Sequence, residues 1–178
     1  MRIAYGGHPG AFGELACLAR FPGAAAIGHP DFETACAALL RADCDLAMIP
    51  FENSVAGKVP GVLDMIGSLP VTRVDVHAQP VVFHCLGLPG VQLHEIETVA
   101  SHPMAIAECR HFLARIGAQV EEAGDTAGAA SEVAEAGLRT RAALASTRAA
   151  ELYGLEVLEA DVQDTADNHT LFAVLRRD

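Results

Sequence analysis

Short apolar runs alternate along the chain with stretches in which apolar residues recur at helical spacing. In the first half this pattern predicts strands over 2–5, 24–28 and 45–50, and helices over 10–20, 32–41 and 60–66. A longer apolar run over 71–88 is interrupted at Pro80. Because proline cannot donate to a strand ladder, the run is expected to break there.

The same alternation of strand-like and helix-like segments starts again in the second half of the chain. It predicts strands that end at Val99 and that cover 119–121, 142–145 and 171–175. It predicts helices over 103–116, 127–136 and 147–153, the last of them ended by Gly154. Strands that alternate with helices of this length favour an α/β fold with mostly parallel sheets.

The order of elements suggests two lobes. Lobe one is predicted to contain about residues 1–76 plus the C-terminal strand, and lobe two about 77–165. If the last strand returns to lobe one, the chain passes between the lobes twice. Two crossings would make a hinge with an interlobe active-site cleft, the architecture of the periplasmic-binding-protein-like fold.

Composition narrows the possible functions. The 178 residues are 51% apolar and 20% charged, and the net charge is −11 without any basic cluster. Nucleic-acid binding is therefore not expected, since it rests mainly on cations that meet phosphates. No stretch approaches the ~20 apolar residues of a membrane span, and the first residues do not resemble a leader peptide. A cytoplasmic protein without a membrane partner is expected.

The five cysteines are scattered and odd in number, and each lies in an apolar context. Buried, reduced thiols are therefore the expected state, at Cys17, Cys36, Cys44, Cys85 and Cys109.

Four segments share one feature, in which a predicted strand ends, small or polar residues follow, and a helix begins. They are Gly6–Gly10, Glu52–Ser54, Ser101–Pro103 and Asp125–Ala127. Helix starts at the carboxyl ends of parallel strands favour anions, because unpaired N–H groups and the positive end of the helix dipole lie there. An acidic protein could thus bind a carboxylate with few cations.

Each of these segments also has a purely structural interpretation. Ser54, Ser101 and Asp125 are common N-cap residues, and His102 could lock its loop before Pro103. The glycines could serve only a tight turn.

Metal and nucleophile chemistry find less support in the sequence. The eight histidines are dispersed without zinc-type spacing, and no Gly-x-Ser-x-Gly elbow or phosphate-binding loop is present. A mechanism without a cofactor or a metal is expected.

Seven motifs, taken together and in order, resemble the catalytic domain of prephenate dehydratases over the whole chain. They are Gly6-x-x-x-Gly10-Ala11-Phe12, Met48 to Ser54 with Gly57, Ser101-His102-Pro103, Asp125-Thr126-Ala127-Gly128, Ala143 to Ser146, Ala149-Ala150 with Tyr153-Gly154-Leu155, and Asn168-x-Thr170-x-Phe172.

The resemblance implies that prephenate loses its ring carboxylate as CO2 and its ring hydroxyl as water, which gives phenylpyruvate for phenylalanine biosynthesis. It implies a catalytic role for Thr170, and Asn53 and Glu108 are further catalytic candidates. The substrate-binding residues implied are Gly10, Ala11, Glu52, Ser54, Ser101, His102, Thr126, Ala127, Asn168, Leu171 and Phe172. A homodimer is also implied. Because the sequence stops at Asp178, the regulatory ACT domain of many members is expected to be absent.

Several matched positions depart from the family pattern. Leu171 replaces an arginine that would suit a substrate carboxylate, Met104 and Glu108 replace glutamines, and Gly13 replaces a serine. Glu108 could repel an anionic substrate, donate a proton if its pKa is raised, or simply face solvent. These departures leave open a non-aromatising prephenate decarboxylase, which would keep the ring hydroxyl, and a non-catalytic binding protein.

Overall fold

The computed structural model describes all residues, 1–178, and divides them into two compact units. The first unit contains residues 1–8, 12–81 and 167–178, and the second contains residues 9–11 and 82–166. Residues 9–11 therefore belong to the second unit, although the sequence placed them in lobe one. The predicted interlobe cleft stays a prediction.

Eleven strands and seven α-helices follow one another along the chain. They are β1 (Arg2–Gly6), α1 (Phe12–Arg20), β2 (Ala25–His29), α2 (Phe32–Leu40), β3 (Leu46–Asn53), β4 (Gly57–Lys58), α3 (Val62–Ser68), β5 (Val71–Pro80), β6 (His84–Gly87), β7 (Thr98–Ser101), α4 (Pro103–Glu108), α5 (Arg110–Ile116), β8 (Gln119–Glu122), α6 (Thr126–Ala136), β9 (Arg141–Ala145), α7 (Thr147–Tyr153), β10 (Glu156–Glu159) and β11 (His169–Arg177).

The first unit is built on a six-stranded sheet. Its strand order is β2-β1-β3-β11-β5, with the short β4 paired to the end of β3. Ala4, Ile49 and Leu175 on one face form a core with the buried side of α2. Apolar residues that alternate along a strand place one face against a helix and leave the other for a second layer, and α1 packs against β1, β3 and β5.

The second unit is built on a five-stranded sheet in the order β10-β6-β9-β7-β8. Its longest helix, α6, packs against β7 and β9. Ala127, Ala130 and Val133 of this helix are fully buried. Their small side chains allow a close approach to the sheet, which is how a core without tryptophan is filled.

The α/β architecture is confirmed, but both sheets are mixed rather than mostly parallel. Four of the nine strand pairings are parallel and five are antiparallel. The main cause in the first unit is β11, which is inserted between β3 and β5 and runs opposite to both. In the second unit, β6 runs opposite to both of its neighbours, β9 and β10. A strand that arrives without a helical crossover can pair antiparallel.

The helix predicted over 103–116 is in fact two short helices, α4 and α5, separated at Cys109. The backbone of Cys109 leaves helical geometry, with φ −120° and ψ 27°. Asp164 stabilises the break, because its backbone N–H donates to the Glu108 carbonyl and its carboxylate accepts from the His111 N–H at 3.0 Å. A contact so distant in sequence leaves no trace in the local apolar pattern. The short strands β4 and β10 were also not predicted.

All five cysteines are free and buried, as predicted. None of the helices combines the length and the apolar character that crossing a membrane requires.

Candidate active site

Thr170 lies at the start of β11, directly opposite Asn53 at the end of β3. The Nδ2 atom of Asn53 donates to the Thr170 hydroxyl oxygen at 3.0 Å and to Oδ1 of Asn168 at 2.9 Å. Its Oδ1 accepts from the backbone N–H groups of Val55 and Ala56, both at 2.8 Å. Because those two donors fix which end of the amide is oxygen, Nδ2 must be the donor toward Thr170.

The hydrogen of the Thr170 hydroxyl is therefore not used by Asn53. The hydroxyl accepts from the amide, and no other protein group accepts its hydrogen. Thr170 is half-buried, whereas Asn53 and Asn168 are only 3% and 4% exposed. The arrangement holds a partly accessible hydroxyl on a buried, hydrogen-bonded support and leaves its proton available for donation.

A β-bulge in β3 brings Asn53 and Thr170 together. Phe172 pairs with Pro50 and Leu171 with Glu52, so that Phe51 has no partner in β11. Without this extra residue, the register would place Glu52 rather than Asn53 opposite Thr170. A bulge re-aims the side chains beyond it, and bulges are frequent beside active sites.

The turn after β3 is tied to the segment before Thr170. The Ser54 N–H donates to the His169 carbonyl at 2.9 Å, and the Ser54 hydroxyl accepts from the His169 N–H at 3.0 Å. Asn53 and Ser54 thus lead into β4, and the next helix starts only at Val62. The prediction that Glu52–Ser54 is a helix start is wrong, as is the N-cap alternative for Ser54. Instead of a helix, the short strand β4 follows and forms a hairpin with β3 through backbone pairing.

Gln79 was not singled out from the sequence, yet it is the partner of Thr170 on the other side of β11. Directly opposed residues of neighbouring strands point to the same face. Asn53, Thr170 and Gln79 therefore form one polar row across β3, β11 and β5. The only signal in the sequence is an amide next to Pro80 in an otherwise strand-like run.

Leu171 and Phe172, two of the predicted substrate-binding residues, both pack against apolar side chains, and their binding role stays a prediction. Leu171 packs against the apolar cluster that includes Phe51 and Ile49, and alternation along the strand directs it away from the face of Thr170. Its cross-strand neighbour is Glu52, which is itself opposite Lys58. Phe172 is 3% exposed and is part of the core.

In the second unit, three helices start at the same edge of the sheet. The strands β8, β7 and β9 are neighbours and run parallel, and each leads into a helix: α6, α4 and α7 respectively. Their N-caps are the side chains of Asp125, His102 and Ser146. The prediction of helix starts at Ser101–Pro103 and Asp125–Ala127 is confirmed.

The predicted binding residues at these starts differ in exposure. Ser101 is fully buried, and its hydroxyl donates to the Leu144 carbonyl at 2.7 Å, so that His102 and not Ser101 is the cap. Nδ1 of His102 accepts from the Met104 N–H at 3.1 Å, which places the ring hydrogen of the neutral form on Nε2. Thr126 is half-buried at the first position of α6, and Ala127 is buried.

The loop at Gly10 and Ala11 packs on the start of α7. The Ser146 hydroxyl, which caps α7, donates to the Gly10 carbonyl at 2.6 Å. Gly10 has φ +93°, and a Cβ there would lie 2.8 Å from the Cα of Ala149. Only glycine fits this position, for both reasons. Ser146 was not among the predicted site residues.

Glu108 is the last residue of α4 and is only 7% exposed. The interpretation that it faces solvent is therefore wrong. Together with Asp164 it contributes to the environment of Cys109, where burial first and then these two carboxylates raise the thiol pKa. No group of three or more His, Cys, Asp or Glu side chains is arranged to hold a metal ion.

A model of the prephenate dehydratase family matches residues 3–178. Arogenate dehydratase 3 from Arabidopsis thaliana is 41% identical over the whole of this chain, which covers 42% of that protein. A bifunctional N-acyl-homoserine lactone acylase/prephenate dehydratase from Komagataeibacter europaeus is 37% identical over 98% of this chain, which covers 62% of that protein.

Among solved structures, the prephenate dehydratase from Arthrobacter aurescens in complex with L-Phe has a TM-score of 0.90 at 29% identity. It is matched by the whole of this chain, which covers 61% of it. GqqA, described as a quorum-quenching acylase, has a TM-score of 0.92 at 36% identity and is covered to 64%. The chain thus spans about half of the length of the plant relatives and under two thirds of these others.

Two units with mixed sheets, and polar side chains gathered where strands end, describe a protein of the α/β class. The chain belongs to the prephenate dehydratase family.

Proposed function

We propose that this protein is a dehydratase of ring acids of the prephenate type, with Thr170 as the hydrogen-bond donor to the departing hydroxyl. The single observation that carries the proposal is the amide of Asn53, which donates to the Thr170 hydroxyl and leaves its hydrogen for another acceptor. The preferred substrate is prephenate, and the product is phenylpyruvate. Arogenate, named in several relatives, is the alternative substrate.

The chemistry needs little more than orientation and help to one leaving group. The bond from the ring to its carboxylate breaks, CO2 leaves, and the electron pair completes the aromatic ring as the C–O bond to the hydroxyl breaks. The departing oxygen takes up one proton and leaves as water. A donor already oriented before the reaction stabilises the developing negative charge without reorganisation.

A threonine hydroxyl is too weak an acid to supply the proton itself. We assign it hydrogen-bond donation, and propose Glu108 as the candidate proton donor. Burial is the condition that favours the protonated form of a carboxyl group, and Glu108 is 7% exposed. Carboxylate binding is proposed for the N–H groups at the helix starts of the second unit, at Thr126, Ala127 and His102.

A proton NMR experiment tests the proposal. The protein is incubated with prephenate, and separately with arogenate, at neutral pH. Aromatic signals of phenylpyruvate or phenylalanine that grow faster than in a protein-free control support dehydration. Loss of CO2 with retained olefinic signals would instead identify the non-aromatising decarboxylase. Substrate that stays unchanged but raises the melting temperature of the protein would identify a binding protein. Decarboxylation without aromatisation, or binding without conversion, would each reject the dehydratase.

Thr170 variants test the assigned residue. Thr170→Val removes the hydroxyl at nearly constant volume and is expected to lower kcat by about 100-fold or more, the scale of losing one oriented donor. Thr170→Ser keeps the donor and should stay within about tenfold of wild type. Equal activity of the valine variant would refute the role of Thr170. Glu108→Gln, which restores the glutamine of the family pattern, tests the second role: a loss of kcat would support proton donation by this chain's glutamate, and an unchanged kcat would reject it.

A second candidate function is hydrolysis of N-acyl-homoserine lactones, favoured by the likeness to proteins named as acylases. Amide hydrolysis through Thr170 would require a base that takes its proton. Asn53 is a donor to this hydroxyl and not a base, which favours dehydration. Assay of the same preparation for release of homoserine lactone decides between the two.

A homodimer in the cytoplasm remains part of the proposal, by family resemblance. Light scattering after size-exclusion chromatography measures the oligomeric state, and a monomer at micromolar concentration would contradict it.

A further inference from the structure

Gln79 occupies the third position of the polar row that contains Asn53 and Thr170. It lies on β5 directly opposite Thr170, without any shift of register at this point. Its residue exposure is 9%, which is low for a polar side chain on a strand at the edge of a sheet. Thr170 thus has a buried carboxamide on each side.

The carboxamide of Gln79 has a defined orientation. Its Nε2 donates to the Pro80 carbonyl at 3.1 Å, and its Oε1 lies 3.3 Å from Nε2 of His77. Since the first contact identifies the nitrogen, Oε1 is the acceptor and the ring of His77 must carry its hydrogen on Nε2. One of the two Nε2 hydrogens of Gln79 is then used, and the second has no acceptor in the protein.

A buried carboxamide with one unbonded N–H lowers the stability of the fold unless some group accepts the remaining hydrogen. Leaving a buried donor unsatisfied costs more than replacing the group with an apolar one of the same shape. Leucine or methionine would satisfy the needs of packing at this position. An amide at this position suits a ligand acceptor on the face of Thr170.

We propose that Gln79 is a second hydrogen-bond donor to the substrate, acting on the departing hydroxyl beside Thr170. The assignment rests on the proposed function and adds a residue to it. Gln79 contacts the reacting oxygen, whereas His77 is a positioning residue that holds the carboxamide. Two neutral donors on one row suit a leaving oxygen that gains charge during the reaction, because neither must lose a proton to stabilise it.

Three variants at position 79 test the proposal by steady-state kinetics, with melting temperatures recorded in parallel. Gln79→Leu removes the donor and is expected to lower kcat by about 10- to 100-fold while KM changes by less than about threefold. Gln79→Glu keeps the acceptor for His77 but replaces the donor by a carboxylate, so a larger loss is expected at pH 7.5. Gln79→Asn withdraws the amide by one methylene and should give an intermediate loss.

The pH profile of Gln79→Glu separates catalysis from structure. A protonated glutamic acid is again a donor, so its kcat should rise relative to wild type as the pH falls toward 5, after subtraction of the protein-free rate. Gln119→Glu, on the exposed strand β8, adds the same charge elsewhere and should match wild type at every pH.

The outcomes distinguish the two proposals. If the wild-type protein converts neither prephenate nor arogenate, the proposed function fails and this assignment fails with it. If the wild-type protein is active and Gln79→Leu retains its kcat, only the role of Gln79 is overturned. A lower melting temperature with unchanged kcat would mean that the glutamine is purely structural. His77→Phe should lower kcat less than Gln79→Leu, and a greater loss would contradict its supporting role.

Discussion

Asn53 Nδ2 lies 3.0 Å from the Thr170 hydroxyl oxygen, and the amide is oriented so that it can only donate. The contact bridges residues more than a hundred positions apart in the chain. It depends on the bulge at Phe51, which shifts the register of β3 by one residue. As a consequence, the Thr170 oxygen accepts a hydrogen bond from Asn53 while the Thr170 hydrogen is available for donation. A single substitution can reverse the direction of this hydrogen bond.

Asn53→Asp should reverse the direction of the hydrogen bond between residues 53 and 170. The aspartate retains an oxygen for the N–H groups of Val55 and Ala56, but its second oxygen accepts from Thr170 and draws the hydroxyl hydrogen away from the substrate. We expect kcat to fall by about 100-fold at neutral pH, the scale of losing one oriented donor. The measurement is phenylpyruvate formation from prephenate, with circular dichroism to establish folding.

Asn168→Asp provides the matched control. It adds the same charge but leaves the bond from Asn53 to Thr170 in place, so its loss should be at least tenfold smaller. Equal losses in the two variants would mean that charge near the row, rather than the direction of the Thr170 hydroxyl, decides the rate.

The sequence predicted most of the elements because each has a local cause. The segment after Asp125 has an N-cap and buried alanines at helical spacing, and its helix was found at Thr126–Ala136 against a predicted 127–136. The catalytic residues proposed from motifs, Asn53 and Thr170, are also in contact. What the sequence could not reveal was long-range: the bulge at Phe51 depends on the register with β11, and the helix break at Cys109 depends on Asp164.

Ser146→Ala should reduce stability and disturb the Gly10 loop. Its hydroxyl accepts from the Ala149 N–H at 3.1 Å and donates to the Gly10 carbonyl at 2.6 Å, with only 3% of the residue exposed. Loss of a helix cap together with a buried hydrogen bond should lower the free energy of unfolding by about 2–3 kcal/mol. Urea denaturation measures it.

Ser131→Ala is a suitable comparison for that measurement. Its hydroxyl is on the exposed side of α6 and donates to the Glu135 carboxylate at 3.2 Å. A surface change of this kind should stay within about 0.5 kcal/mol. Equal effects of the two serine substitutions would contradict the role given to Ser146.

Leu171→Arg restores the residue typical of the family and tests which face it serves. Leu171 packs beside Phe51 and pairs across the sheet with Glu52, on the side away from the Thr170 hydroxyl. An arginine there is expected to pair with Glu52 rather than to bind the substrate, and kcat/KM should change by less than about tenfold. A larger increase would mean that the guanidinium reaches a substrate carboxylate, an effect worth several kcal/mol when such a pair is buried.

Position 171 also illustrates how alternation along a strand separates neighbouring residues of one motif. Adjacent residues in a strand face opposite sides, so proximity to Thr170 in sequence does not place a side chain in the same site. Gln79 is the converse case, since it is remote in sequence and yet directly opposite Thr170. Strand register decided the position of Gln79, and register is not encoded in a local motif.

The buried thiols should make the protein less stable in alkali. Burial is the main cause that raises the pKa of Cys85 from its ordinary 9.0 to about 12, with a smaller contribution from Glu159. The thiol stays protonated in the folded protein while the unfolded chain ionises, so the free energy of unfolding is unaffected below pH 9 and falls as the pH rises from 9 toward 12. Each such thiol contributes a slope of about 1.4 kcal/mol per pH unit in that window.

Urea denaturation of wild type and Cys85→Ala isolates this residue: the stability difference between them should be constant from pH 7 to 8 and should shrink with that slope above pH 9. A difference that stays constant up to pH 10.5 would mean that Cys85 ionises equally well in the folded protein.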